Sequence, residues 1–302
     1  MFKKLFLGTT KIDFQNLGDR FYKIFIIEFI LFVAIIVGSV IGIFSLNLSV
    51  DFTGGTTYQL STDYTETDIN DVLNNNILQV SRYQTFENSD TIIFRAIEST
   101  QSIETELLNY LSNKFNVDTS EIDFQRVGPT FGQDITEKGI RALVIFITII
   151  ALLISIRYEY KYAFIALIAL LHDLLLTFSI YIVIGLEITP STIIALLTIL
   201  GYSLYDTVIL FDKLKDSQRT FKIASLNREV LNKTFNEVLM RSINTSLTSA
   251  IPIISIIFIG NYLGIEGNLS DFAIPLLIGI VSGTYSSIFV TVPFLSKIIK
   301  TN

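Results

Sequence analysis

The sequence predicts a polytopic α-helical membrane protein: six transmembrane helices, with an α+β domain inserted between the first and the second. Three observations carry this. Half of the 302 residues are hydrophobic and only 17% are charged, against about 25% charged in an ordinary soluble domain. Apolar runs long enough to cross a bilayer recur along the chain. A single polar stretch of about 90 residues, large enough for a small domain, follows the first run.

Residues Met1–Lys23 are polar and carry Lys3, Lys4, Lys11, Arg20 and Lys23. An apolar run of about 23 residues follows over Ile24–Leu46. It is too long for a signal-peptide core and is read as an anchor, the first transmembrane helix within 24–47. Gly38 and Gly42 are spaced GxxxG, which lets another helix approach closely. Glu28, near the basic end of the run, is expected to reach the interface.

The insert, Leu48–Glu137, opens with VDFTGGTTYQL, read as extended chain interrupted at Gly54–Gly55. A helix is expected over Glu66–Leu73. Strands are expected at Ile77–Phe86 and Thr91–Ile97, about the turn Glu87–Asp90. Ile103, Leu107, Leu108 and Leu111 give Ser102–Phe115 a helical period, and a last strand is expected at Glu121–Val127. The order β-α-β-β-α-β is that of a ferredoxin-like split βαβ unit. Asp51, Gly54 and Gly55 at its opening and Gly128–Pro129 at its exit are the expected hinge positions.

Five further spans are expected within 138–302, near Gly139–Ile156, Tyr162–Ile184, Thr189–Phe211, Ile243–Leu263 and Phe272–Ser296. Thr189–Pro190 reads as an N-cap followed by Pro at the first helical position. Pro252 should kink the fifth span. Gly201, Gly279 and Gly283 are expected at close helix contacts, with the last two one turn apart. With the N-terminus inside, the inner segments are Met1–Lys23, Arg157–Lys161, Asp212–Arg241 and the tail. They hold about 16 of the 22 Lys and Arg residues, the asymmetry of the positive-inside rule. Both termini are then cytoplasmic and 48–137 is extracytoplasmic. Leu226, Val230, Leu231, Val238 and Leu239 give the connection 212–241 an amphipathic face. That face either lies on the membrane surface or is the sticky side of a solvated helix.

Asp206 is the residue that points to function. It is an acid set well inside the fourth apolar run, where a charge costs about 2.5–3.5 kcal/mol on insertion scales. Tyr202 and Ser203 lie one turn before it, on nearly the same face. Such a residue relays a proton or ion, or pairs with a cation on another helix. Arg241 enters the fifth span at a similar depth by topology and is the candidate partner; alternatively it snorkels to headgroups. His172 and Asp173 are adjacent in the third span and point about 100° apart, so they cannot both face one partner. They act as a relay or as interhelical glue.

Other chemistry is excluded. The chain lacks GxxxxGK[ST], GxSxG and HExxH, so no enzyme activity is expected. With no Cys and a lone His172, no metal or other cofactor is expected. Nothing suggests nucleic-acid binding. Energy must come from an ion gradient or from a partner.

Several stretches resemble one family. Val50–Asp51–Phe52–Thr53–Gly54–Gly55 is similar to a DFTGG motif, and Val127–Gly128–Pro129 to the exit that goes with it. Arg157–Tyr158–Glu159, the pair His172–Asp173, LTILGYSLYDTV over 197–208, LMRSINTSLTS around Arg241 and Gly283–Thr284–Tyr285–Ser286–Ser287 follow in the family's order. Together they resemble the SecF side of the SecD–SecF protein-export complex, related to the RND superfamily. The resemblance implies an RND-type half of six helices that pairs with SecD. It implies work beside the Sec channel, SecY–SecE–SecG, and other accessory membrane subunits, on unfolded exported polypeptides and among membrane lipids, driven by the proton or sodium motive force. It also implies ion coupling by Asp206 and Arg241, with Tyr202, Ser203, Thr207, His172 and Asp173 as surrounding groups. Tyr205 departs from the pattern, where Asn is usual, as do Lys213 and Ser242. The rival readings are an RND-type exporter of small molecules or lipids, and a non-energised assembly scaffold.

Overall fold

Apolar length sets the membrane body. The computed structural model describes residues 12–75, 80–86, 90–96, 101–221, 228–263 and 268–298. Among the described residues six helical spans are long and apolar enough to cross a membrane: Leu17–Val40, Thr130–Arg157, Tyr160–Ile184, Pro190–Thr220, Leu231–Gly260 and Leu269–Leu295. They belong to helices α1 (Phe14–Val40), α5 (Pro129–Arg157), α6 (Tyr160–Ile184), α7 (Pro190–Phe221), α8 (Arg228–Leu263) and α9 (Asn268–Tyr285). The last span runs on through a π-helical turn, Ser286–Val290, into α10 (Thr291–Ile298).

Between α1 and α5 come α2 (Val50–Thr53), β1 (Gly55–Ser61), α3 (Glu66–Leu73), β2 (Val80–Phe86), β3 (Thr91–Ala96), α4 (Gln101–Phe115) and β4 (Asp123–Val127). The strands form one antiparallel sheet in the order β2-β3-β1-β4. Alternation puts Tyr58, Leu60, Ile92 and Phe94 on one face, where Ile69 and Val72 of α3 and Leu107 and Leu111 of α4 cover them. Thr65 and Asp68 close a capping box at the start of α3. Glu104 is buried against this sheet, accepting from Thr56 Oγ1 at 3.0 Å and pairing with Arg126 Nε at 3.3 Å.

Four expectations are corrected. The first helix begins earlier and stops at Val40, because the chain turns through Gly42 at φ +81°. Gly42 is therefore not on the helix, and Gly38 abuts the ring of Phe44, which folds back over it. Neither glycine meets another helix among the described residues. Val50–Asp51–Phe52–Thr53 forms a helical turn rather than extended chain, ended by Gly54 at φ +75°. Gly55 then starts β1 at φ +137°, so close to the Ala96 carbonyl that a Cβ would overlap it.

The stretch 212–241 contains two helix extensions rather than a surface-lying helix. Leu231, Val238 and Leu239 are buried with Phe14, Leu210 and Phe211, while Leu226 and the side chain of Val230 lie outside the described residues. Asn232 and Asn236 also hold the chain at Ile12 and Asp13. Pro252 sits inside an unbroken α8. Thr189 does cap α7, its Oγ1 accepting from Thr192 N at 3.2 Å.

The inserted domain is fastened to the membrane body at more than its two linkers. Ser49 N donates to Ile188 O and Ile188 N to Asn47 O, at 3.0 and 2.7 Å. Arg95 of β3 pairs with Glu187, in the α6–α7 loop, at 2.5 Å, with their side chains only 14% and 10% exposed. Glu187, expected to be solvated, is instead half of a clasp. Gly128 precedes Pro129 at the first position of α5, and Gly132 one turn on lies so close to the Phe52 carbonyl that a side chain would not fit.

At the opposite end, Arg157 pairs with Asp212 at 2.9 Å and Tyr158 OH donates to Asp212 Oδ1 at 2.5 Å. Burial and the Asp212 carboxylate push the Tyr158 phenol up to about 12 from an ordinary value near 10. The folded state therefore favours the protonated phenol. Its contribution is whole below about pH 10 and is lost as pH rises towards about 12. Tyr158→Phe should lower stability by about 1–2 kcal/mol near neutrality. Thermal melts of the two proteins should converge as pH rises through that window; a gap that stays constant would show that the hydroxyl contributes nothing through Asp212.

Candidate functional site

Helix α7 lies between two polar clusters, each built on one buried acid. Asp206, on one side, is 2% exposed. Its Oδ2 makes no hydrogen bond of normal geometry among the described residues, and the hydroxyl of Ser242 on α8 stands within interaction range of the carboxyl. A buried carboxylate oxygen left unpaired is costly, so this acid is not simply glue between helices. Arg241 is within electrostatic reach but does not form an ion pair with it. Its Nη2 donates to Tyr205 OH at 2.9 Å and its guanidinium stands 5.7 Å from the centre of the Tyr205 ring, an attraction of about 0.5–1 kcal/mol at an exposed site. The residue that departs from the expected pattern is thus the one that holds the arginine.

On the other side of α7 the acid is Asp173 of α6, with no exposure at all. It accepts from Ser203 of α7 at 2.5 Å, from Ser286 at 2.9 Å and from Ser282 of α9. Ser203 therefore serves Asp173 and not Asp206, and Thr207 Oγ1 donates to the Ser203 carbonyl at 3.3 Å. Tyr202 reaches the other way, its hydroxyl 3.2 Å from Ser246 Oγ, which also bonds Thr284. The expected stripe is thereby divided between two neighbouring helices, Tyr202 and Asp206 towards α8 and Ser203 towards α6. Asp173 makes interhelical bonds as one of the pair should; His172 faces aromatic rings of α1 and α9 rather than a cavity.

The sequence reading missed Ser282 and gave Ser286 and Glu28 no part in this site. The two serines are spaced i and i+4, which puts them on one helix face, a signal present beside the GTYSS stretch. Glu28, 28% exposed, accepts from Tyr285 OH at 3.0 Å. The glycines divide too. Gly279 lies against Ile199 and Gly283 against Ser203, 2.9 Å from an added Cβ to Ser203 Cβ, so both close the α7–α9 contact within this chain. An added Cβ at Gly201 would meet nothing within 4 Å.

A family model described as "Protein export membrane protein SecD/SecF, C-terminal" matches residues 107–301. The chain belongs to the SecD/SecF family. A second model, the SecD/SecF GG motif, matches residues 40–63 and takes in the Gly54–Gly55 turn. Protein translocase subunit SecF of Thermodesulfovibrio yellowstonii is 31% identical over 95% of this chain and 94% of its own. SecF of Streptomyces coelicolor is 39% identical over 62% of this chain and 51% of its own; for one Mycobacterium tuberculosis SecF the shares are 56% and 39%, at 44% identity. The chain thus matches about half or less of the length of these last two relatives. The crystal structure of SecDF from Thermus thermophilus superposes with a TM-score of 0.81 over 96% of this chain and 39% of that one, at 24% identity, which establishes a shared fold. Six apolar helices and this family make the chain a multi-pass membrane protein of the SecD/SecF kind.

Proposed function

We propose that this chain is a SecF-type subunit of the protein-export machinery, and that with a SecD-type half it uses an ion-motive force to promote translocation of unfolded polypeptides across the cytoplasmic membrane. One observation carries the coupling: a buried acid, Asp206, in an apolar span, with no ion pair and one oxygen lacking a normal hydrogen bond, and with its candidate cation, Arg241, parked on Tyr205 within electrostatic reach. Cycling between paired and parked states lets the acid release and take up a proton. The role is one of transport rather than catalysis of a chemical reaction. Family membership supports work beside the Sec channel.

In this reading 1–23 is cytoplasmic, 24–47 the first span, 48–137 extracytoplasmic, and 138–302 the remaining spans, with both termini inside. The external domain is ferredoxin-like, a reading supported by its β-α-β-β-α-β order and antiparallel sheet. The SecD-type half covers the open stripe of α7, where Ile194, Thr198, Gly201 and Tyr205 are exposed at helical spacing. A glycine at the centre of such a stripe permits close approach of a second helix.

Reporter export into inverted vesicles, with ATP supplied, tests the function. Vesicles containing this chain and its partner half should export more than vesicles lacking them only while a gradient is present. Equal stimulation without a gradient would favour the scaffold reading. Topology has its own test, because the chain has no Cys. In whole cells whose outer face is open to reagent, Asn70→Cys should react with an impermeant maleimide, whereas Asp216→Cys should react only after the membrane is broken. The reverse pattern would invert the topology.

A further inference from the structure

His172 is the chain's only histidine, wholly buried on α6. Neither ring nitrogen has a hydrogen-bond partner among the described residues. Leaving a buried polar group in this state costs about 1–3 kcal/mol. The ring stands between two carboxylates: Nε2 is 3.5 Å from Glu28 Oε2, and Nδ1 is 3.5 Å from Asp173 Oδ1. Both distances exceed the range of about 2.7–3.2 Å of an N–H···O bond, and a small side-chain movement would close either. A neutral imidazole has one N–H and can satisfy only one of the two acids; the imidazolium has two and can satisfy both.

The acids themselves are held in place. Tyr285 OH donates to Glu28, and three serine hydroxyls donate to Asp173. Phe25 and Phe32 of α1 and Tyr285 of α9 wall the imidazole, with ring centres 6.0, 5.5 and 5.7 Å away. Among the described residues no Lys or Arg forms an ion pair with either acid. The site is graded in access, since the Glu28 side chain is 28% exposed while His172 and Asp173 are fully enclosed.

We propose that His172 is a proton-binding site separate from Asp206, loaded through Glu28 and discharging onto Asp173. This rests on the ion-coupling reading above and extends it to a second acid cluster. A proton on the Glu28 carboxyl passes to Nε2, giving an imidazolium. The Nδ1 proton then passes to Asp173 Oδ1, and the ring is left neutral with its proton on Nε2. One proton leaves Glu28, one arrives on Asp173, and no electrons are transferred. Oδ1 is the oxygen that accepts from Ser282; once protonated it becomes a donor and releases that hydroxyl. The bond released is on α9; the two bonds to Oδ2, from Ser286 at the start of the π turn and from Ser203, one turn before Asp206 on α7, weaken as the carboxylate loses its charge. The cluster is therefore built to change how α6 holds the helix that carries Asp206. A π turn, with its looser register, often marks such a functional place in a helix.

The lone histidine makes the test direct. The full chain, labelled with ¹⁵N-histidine, purified without a histidine tag and placed in lipid vesicles, gives one pair of ring signals by solid-state NMR. Lowering the pH from about 8 to about 5 should convert them from a neutral tautomer to imidazolium. Glu28→Gln keeps the contact with Tyr285 but removes the acid that would load the ring, and the imidazolium signal seen in the parent at about pH 5 should be largely lost. Asp206→Asn should titrate like the parent. One unchanging neutral tautomer across the range, or a Glu28→Gln titration identical to the parent, would overturn the proposal. Failure here is separable from failure of the export reading. A silent ring with export still dependent on Asp206 removes only the second site, and a titrating ring with export indifferent to Asp206→Asn removes only the first reading.

Discussion

Asp206→Asn should abolish the gradient-dependent part of export while leaving the chain folded and present at normal abundance. The side chain is nearly isosteric and keeps one carbonyl oxygen, so packing against α8 survives. It can no longer carry a charge, so the attraction to Arg241 that closes the paired state is lost. Folding should not suffer, because a buried acid with an unpaired oxygen costs stability, and a neutral amide in its place removes the cost of burying a charge. The measurement is export in inverted vesicles with ATP, with and without a gradient. Full gradient stimulation in the variant, at parental abundance, would make Asp206 structural. Tyr205→Phe gives a companion reading: it removes the hydroxyl that holds Arg241 but keeps the ring, and should shift the arginine towards Asp206.

Gly279→Leu should fail at the opposite level, in folding. Its α-carbon faces Ile199, which is fully buried in the α7 core, and even a Cβ would overlap that side chain. Overpacking in a well-filled core costs about 1–3 kcal/mol, and more where the backbone must move. Here two helices would have to separate, which would also pull Ser282 and Ser286 off Asp173. Detergent-solubilised yield and melting temperature should both drop. Gly201→Leu, by contrast, meets open space and should leave both unchanged while reducing co-isolation with the SecD-type half. Normal folding of Gly279→Leu would mean that α7 and α9 are not in this contact; normal co-isolation of Gly201→Leu would remove the partner from the α7 stripe.

Much of this was legible in the sequence, for reasons that differ by element. Hydropathy over about 20 residues reports a span because a bilayer leaves the backbone few alternatives. The helices Glu66–Leu73 and Gln101–Phe115 follow from period and caps, which are local. Asp206 stood out because a charge in an apolar run has few explanations. What the sequence did not carry was direction around the helix axis across neighbours. Ser203 and Asp206 lie three residues apart, yet the packing of α6, α8 and α9 around α7 sends them to different partners. Glu28 looked like an end-of-span residue because the α1 start at Phe14 is written in polar residues, which hydropathy ignores. Which helix Gly283 meets was not legible, because close approach within one chain and between two chains demand the same small residue.

The Arg95–Glu187 clasp sets an energy scale for moving the external domain. Pulling the two charges apart is not the same as deleting one of them, since each is rehydrated as it leaves, and much of the lost attraction is returned. A fully exposed pair contributes about 1 kcal/mol or less, and this largely sheltered one sits above that. One charge falling through about 100 mV delivers about 2.3 kcal/mol. The work needed to lift the domain off its seat is therefore of the same order as the work a single ion can supply. In the proposed coupling, a latch matched in this way would stay shut against thermal jostling most of the time and re-form unaided when the domain returns.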